Sequence, residues 1–149
     1  MRLLIQRVRE AKVLINNEEE KRINKGLVVF VGIEDNDNKE DIEWLCNKLV
    51  NLRIFDDSDG IMNINVKDIN GEILVISQFT LHASTKKGNR PSYIRAAKPE
   101  VAEKIYSEFI NYLKNIFSKI KTGVFGAYML VSLINDGPVT IFIDSKNKE

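Results

Sequence analysis

Residues 27–54 read LVVFVGIEDNDNKEDIEWLCNKLVNLRI, and the change of period inside them decides the fold class. Leu27 to Ile33 is a continuous run of β-branched, aliphatic and aromatic residues, the pattern of a strand buried on both faces. From residue 38 to 54 the period switches. Ile42, Leu45, Cys46, Leu49 and Leu52 fall at helical spacing. Glu40 and Asp41 sit in the first turn, where carboxylates suit the positive end of the helix dipole. Asp37 or Asn38 is the expected N-cap. A buried strand leading into an amphipathic helix requires a helix layer packed on a sheet.

Working outward, residues 2–9 and 11–15 are rich in Leu, Ile and Val and too short for good helices, so two strands are expected there. Residues 16–24 form a turn region with room for a short edge strand. On the other side, Asp56-Asp57-Ser58-Asp59-Gly60 is a turn. It looks like a calcium loop, but with Gly60 at the sixth position the first ligand would be Phe55, and no Glu closes it. No metal site is expected. Residues 72–81, EILVISQFTL, read as a strand, and 82–97 as a loop holding Gly88 and Pro91. Residues 99–120 read as a second helix, with Pro99 suited to its first turn. Residues 122–134 and 138–145 read as two final strands joined at Asn135-Asp136-Gly137-Pro138. The order β-β-β-α-β-α-β-β predicts an α+β fold: a mixed, largely antiparallel, barrel-like sheet with two long helices packed on one side. One domain is expected over residues 1–149.

Composition narrows the function classes. The chain has 149 residues, 44% of them hydrophobic, and a net charge of +1 from 22 basic and 21 acidic residues. It is too apolar for a disordered chain. No apolar run approaches the ~20 residues that span a bilayer, and the N-terminus lacks a signal-peptide core. A cytoplasmic protein is expected. One cysteine, Cys46, excludes an internal disulfide, and on its apolar stripe it reads as buried and inert. One histidine, His82, excludes His-rich metal sites and every Ser-His-Asp scheme that does not use it. Charge is uneven: no acid occurs between Glu72 and Glu100, while Lys86, Lys87, Arg90, Arg95 and Lys98 fall in that stretch. On charge alone such a segment is more often a solvated loop than a surface for a phosphate backbone, and both readings stay open.

No P-loop, GxGxxG, GxSxG, HExxH or CxxC is present. Chemistry must therefore use small polar side chains, backbone groups or the substrate itself. Three polar insertions break the apolar pattern. In Ser77-Gln78-Phe79-Thr80-Leu81, an extended strand would put Gln78, Thr80 and His82 on one face. That makes either a small shelf of donors and acceptors or a set of satisfied buried groups. Lys86 to Tyr93 follows, where Arg can fork onto phosphates and Tyr can stack on a base. Asn135 to Thr140 is either a hairpin turn or a place where the X-Pro bond is cis.

Taken together, the segments resemble the D-aminoacyl-tRNA deacylase family of the D-tyrosyl-tRNA deacylase type, nearly end to end. Gln6-Arg7-Val8 matches its QRV, Arg53-Ile54-Phe55 and Met62-Asn63 its middle, and Ser77 to Leu81 its SQFTL. Lys87 to Ser92 matches KGxRPS, and Phe125-Gly126-Ala127, Met129 and Asn135 to Thr140 match its C-terminal signature. The resemblance implies an enzyme that hydrolyses the ester joining a D-amino acid, or glycine, to the terminal adenosine of tRNA. It implies no cofactor, an aminoacyl-tRNA partner, and a two-fold homodimer with active sites at the interface. A cis Gly137-Pro138 would reach into the partner's site and exclude an L side chain. By the same resemblance Ser77, Gln78, Phe79 and Thr80 line the adenosine and ester pocket, Phe125 and Met129 form its apolar wall, and Arg7 anchors the Gly-Pro element. Loop 86–95 would face the acceptor end.

Thr80 is either the nucleophile or a supporting group. A Thr hydroxyl needs a base, and His82 stands where similar proteins often carry Ala, which favours the supporting role. The ribose 2′-OH would then help activate water, with backbone amides near Phe79 and Thr80 holding the oxyanion. The roles of His82 and Tyr128 are open. The alternative is a non-catalytic nucleic-acid-binding protein on the same fold. Relatives of that kind in higher organisms carry long C-terminal tails, whereas this sequence stops at Glu149.

Overall fold

The computed structural model describes residues 1–148. Strand β1 (Arg2–Ile15) is its spine. Along one edge β1 pairs antiparallel with β2 (Glu19–Ile23) and with β3 (Gly26–Gly32). Helix α1 (Lys39–Asn51) follows, capped by Asn38, whose side chain accepts from Glu40 N–H while Asp41 reaches back to Asn38 N–H. A small hairpin, β4 (Phe55–Asp56) with β5 (Met62–Ile64), surrounds the turn held by Asp57. Strand β6 (Glu72–Ser77) lies parallel to β3, and after helix α2 (Pro99–Ile116) strand β7 (Ile120–Thr122) lies parallel to β6. Strand β8 (Met129–Asp144) returns antiparallel along the other edge of β1.

The sheet is six-stranded, mixed and curled. Its open side is drawn together by long side chains: Lys21 Nζ donates to Thr122 O at 3.0 Å, and Lys121 Nζ donates to Arg22 O. Alternation sorts the two sheet faces into two cores. Leu27, Val29, Val31, Ile73 and Val75 face the helices with Leu45, Leu49, Phe109 and Leu113. Val28, Leu74 and Ile76 face inward with Val13, Ile15 and Ile23. Both helices pack on one side, as the α+β reading expects. Trp44 on α1 is half-buried at the edge of the helix-side core, with the ammonium groups of Lys148 and Lys48 at 4.7 and 5.6 Å from its ring.

Four boundaries differ from the sequence reading. The two N-terminal strands are one strand. Arg9 and Glu10 are exposed, but the backbone continues through them, and the ladder with β8 slips between Val8 and Ala11. That slip lets Ala11, Val13 and Ile15 face the same inner core as Val8. The second helix stops at Ile116, because Phe117 is already extended and Ile120 joins β6. Strand β6 ends at Ser77, and Phe79–His82 is a 3₁₀ turn. The final hairpin is absent. Asn135 to Thr140 is an excursion within the continuous β8: Gln6 pairs with Thr140 and Val8 with Asn135, so two steps along β1 answer five along β8. The Gly137-Pro138 bond inside it is cis.

Candidate active site

Strands β3 and β6 end side by side, Val31 opposite Ser77. The carboxyl ends of parallel strands are where open sheets leave a crevice. A cavity of about 650 Å³ opens there, within the size range of small-molecule sites. Val31 and Ile76 come from the strand ends, Pro99 and Ala102 from the first turn of α2, and Phe125 and Met129 from the segment entering β8. The lining is mostly apolar, so polar groups at its edge are few and each is exposed to a weak dielectric.

Ser77 and Gln78 come from the chain leaving β6, and Tyr93 and Lys98 from the segment before α2. Gln78 N–H donates to Val31 O at 2.7 Å, a last bond to the sheet. The backbone then turns sharply: Leu81 N–H reaches Gln78 O at 3.3 Å and Ala83 N–H reaches Thr80 O at 3.0 Å. Gly32 makes room for this turn, since a Cβ there would lie 2.9 Å from Leu81 Cβ and 3.2 Å from Gln78 O. From the other side Arg2 Nη1 donates to Leu81 O at 2.9 Å. The first amides of any helical turn have no partner inside it, and the N–H groups of Phe79 and Thr80, which open this one, have no partner among the described residues.

Gln78 Nε2 donates to Thr80 Oγ1 at 2.6 Å. The two side chains are adjacent as expected, but through the turn rather than along a strand face. His82 does not join them. It is fully buried behind the turn, and neither ring nitrogen has a hydrogen-bond partner among the described residues. Burial holds its pKa below the usual imidazole value, with the Glu34 carboxylate opposing the shift. Among the described residues no imidazole, amine or carboxylate is bonded to the Thr80 hydroxyl. Cys46 is buried and donates its thiol to Phe109 O, and burial raises its pKa far from thiolate chemistry.

Ser77, Gln78, Phe79, Phe125 and Met129 line the cavity, and Thr80 adjoins it through Gln78. Arg7, Gly137 and Pro138 do not line it. Arg7 is buried, donating from Nε to Asp136 O at 2.9 Å and from Nη1 to Ile54 O at 2.8 Å and Asp56 Oδ1 at 3.2 Å. It thus grips the excursion of its own chain. Gly137 and Pro138 are exposed, Gly137 with φ +128°, a conformation L side chains rarely adopt. Asn135 closes the base of the excursion, accepting from Val139 N–H and donating to Thr140 Oγ1, both at 2.9 Å.

A sequence model of the family described as D-Tyr-tRNA(Tyr) deacylase matches residues 4–144. The chain belongs to the D-Tyr-tRNA(Tyr) deacylase family. It is 61% identical to the D-aminoacyl-tRNA deacylase of Flavobacterium psychrophilum, with all of both chains covered. It also resembles a solved structure named c-Myc DNA Unwinding Element Binding Protein, at 39% identity and TM-score 0.92, covering 97% of this chain and 98% of that one. A second structure, described as "a probable eukaryotic D-amino acid tRNA deacylase", shares the fold at TM-score 0.83 with 16% identity, covering 95% and 97%. Within this deacylase family member, sequence reasoning missed two contributors to the cavity: the end of β3 and the first turn of α2. The rule that crevices form at the ends of parallel strands would have found them, had the parallel pairing of β3 and β6 been legible. It also missed Asn135 as the brace of the excursion.

Proposed function

We propose that this chain hydrolyses the ester joining a D-amino acid to the terminal adenosine of tRNA. The observation that carries this reading is the turn after β6: free Phe79 and Thr80 amides beside an apolar cavity, with no side-chain base on the Thr80 hydroxyl. Water adds to the ester carbonyl, and the resulting oxyanion accepts from those two amides, each a donor of the kind that stabilises about 3–4 kcal/mol of developing charge. The tRNA 2′-OH, on the ribose carbon next to the one that bears the ester oxygen, helps orient and deprotonate the water. The C–O bond breaks, the 3′-oxygen takes the proton, and free tRNA and amino acid leave. Thr80 steadies Gln78 rather than attacking.

Stereochemistry follows from a wall. With amino and ester groups fixed, inverting Cα redirects only the side chain, so rigid backbone excludes one hand by steric clash. The Gly137-Pro138 excursion of a second copy supplies that wall, and glycine, lacking a side chain, passes. A homodimer suits β8, whose outer edge pairs with no strand among the described residues and which exposes Leu130, Ile134 and Phe142. The chain works as one domain, in the cytoplasm; no helix among the described residues is long and apolar enough to cross a membrane.

A second reading is favoured by the relative named for binding a DNA unwinding element and by the basic segment 86–95: a nucleic-acid-binding protein without catalysis. A deacylation time course on D-tyrosyl-tRNA and L-tyrosyl-tRNA at equal enzyme concentration decides. Fast release from the D ester with the L ester spared is expected. Binding without release from either replaces the esterase with the second reading. Equal release from both keeps the esterase and removes the wall.

A further inference from the structure

The turn 78–81 is a weak element to carry an oxyanion hole. It is a single 3₁₀ turn, whose geometry is poorer than that of an α-helix, and its Leu81 N–H to Gln78 O bond is 3.3 Å long. Arg2 and His82 hold its far end, at Leu81 and beyond. Its near end, where the free amides lie, depends on Phe79, whose side chain is 55% exposed. A side chain left that open has few neighbours to fix its rotamer, and its own amide is one of the two donors. One contact opposes this: the Tyr93 ring meets the Phe79 ring at 5.0 Å between centroids and 74° between planes, the edge-to-face arrangement that aromatic quadrupoles favour.

Tyr93 is well placed to act as a fixed post. Ser84 and Ser92 exchange both backbone hydrogen bonds, at 2.8 and 2.9 Å, which closes the basic loop just before it. Behind it Ala96 N–H donates to Tyr93 O, and Ala97 N–H ties the chain to Ile33 O at the end of β3, each at 2.9 Å. The Tyr93 hydroxyl has no hydrogen-bond partner among the described residues, so the ring is the working part. The closed loop also carries Lys86, Lys87 and Arg90, exposed and without a carboxylate partner among the described residues.

We propose that Tyr93 is a positioning residue for deacylation: its ring fixes Phe79, and thereby aims the Phe79 and Thr80 amides at the reacting carbonyl. This rests on the esterase reading above. Because Tyr93 sits at the base of the basic loop, seating of the tRNA backbone and alignment of the amides share one mechanical part.

The test is single-turnover and steady-state deacylation of D-tyrosyl-tRNA by the wild type, Tyr93→Ala, Tyr93→Leu and Tyr93→Phe. Tyr93→Ala is expected to lower kcat about tenfold, equivalent to about 1.4 kcal/mol, with KM changed less than about twofold. Tyr93→Leu keeps apolar bulk without a ring quadrupole and serves should the Ala variant unfold; its kcat falls similarly. Tyr93→Phe restores kcat. An unchanged kcat in Tyr93→Ala or Tyr93→Leu, a loss confined to KM, or a Phe variant as slow as the Ala variant each overturns the proposal while leaving the esterase intact. A wild type that releases no amino acid overturns both.

Discussion

Thr80 has the position of a nucleophile and the hydrogen bonding of a support. Its oxygen accepts from the Gln78 amide at 2.6 Å, and an amide donor draws electron density from the hydroxyl instead of taking its proton. Replacing it with an isosteric apolar residue separates the roles. Thr80→Val is expected to slow single-turnover deacylation about tenfold, the worth of one hydrogen bond to a polar side chain. Loss of a covalent nucleophile costs on the order of a millionfold in a serine hydrolase. At this scale the motif drew attention to Ser77, Gln78 and Phe79, and these three border the cavity. The separation of His82 from Thr80 was not legible, because it depends on Gly32, a residue in another strand whose missing Cβ admits the turn.

Elements were legible where periodicity is local and illegible where pairing decides. Helix α1 follows from the apolar spacing and the acids of the first turn, which left Asp37 or Asn38 as its cap; the cap is Asn38. Strand β8 does not follow from its own residues. Asn-Asp-Gly-Pro carries every mark of a turn, and a bulge uses the same residues for the same backbone reasons. What distinguishes them is the register against β1, which no local pattern encodes. The excursion survives because Asn135 spans its base. Asn135→Ala removes the partner of Val139 N–H and the donor to Thr140. A stability loss of about 1–2 kcal/mol in urea denaturation is expected, with L-tyrosyl-tRNA released faster relative to the D ester as the proposed wall loosens.

For the whole molecule, the fold class and the placing of both helices were legible, whereas the parallel β3–β6 pairing that creates the cavity was not. Global stability also carries the signature of one buried group. His82 is held neutral by burial, and the charges around it are the Arg2 guanidinium and the Met1 ammonium, which disfavour its protonation, and Glu34, which favours it. Its folded pKa is depressed below 6.5, so the unfolded chain binds the proton first. Stability is therefore expected to be level above that pH and to fall as pH drops below it, until the folded pKa is reached. Urea midpoints at pH 7.5 and 5.5 check this: the wild type loses stability on acidification, and His82→Leu loses less. The choice of probe for such measurements matters. The single tryptophan, Trp44, lies on α1 under two lysine ammonium groups and takes no part in lining the cavity. Its emission follows the loosening of the helix layer and is blind to a guest at the strand ends, so a flat fluorescence trace on adding charged tRNA is no sign that the site stays empty.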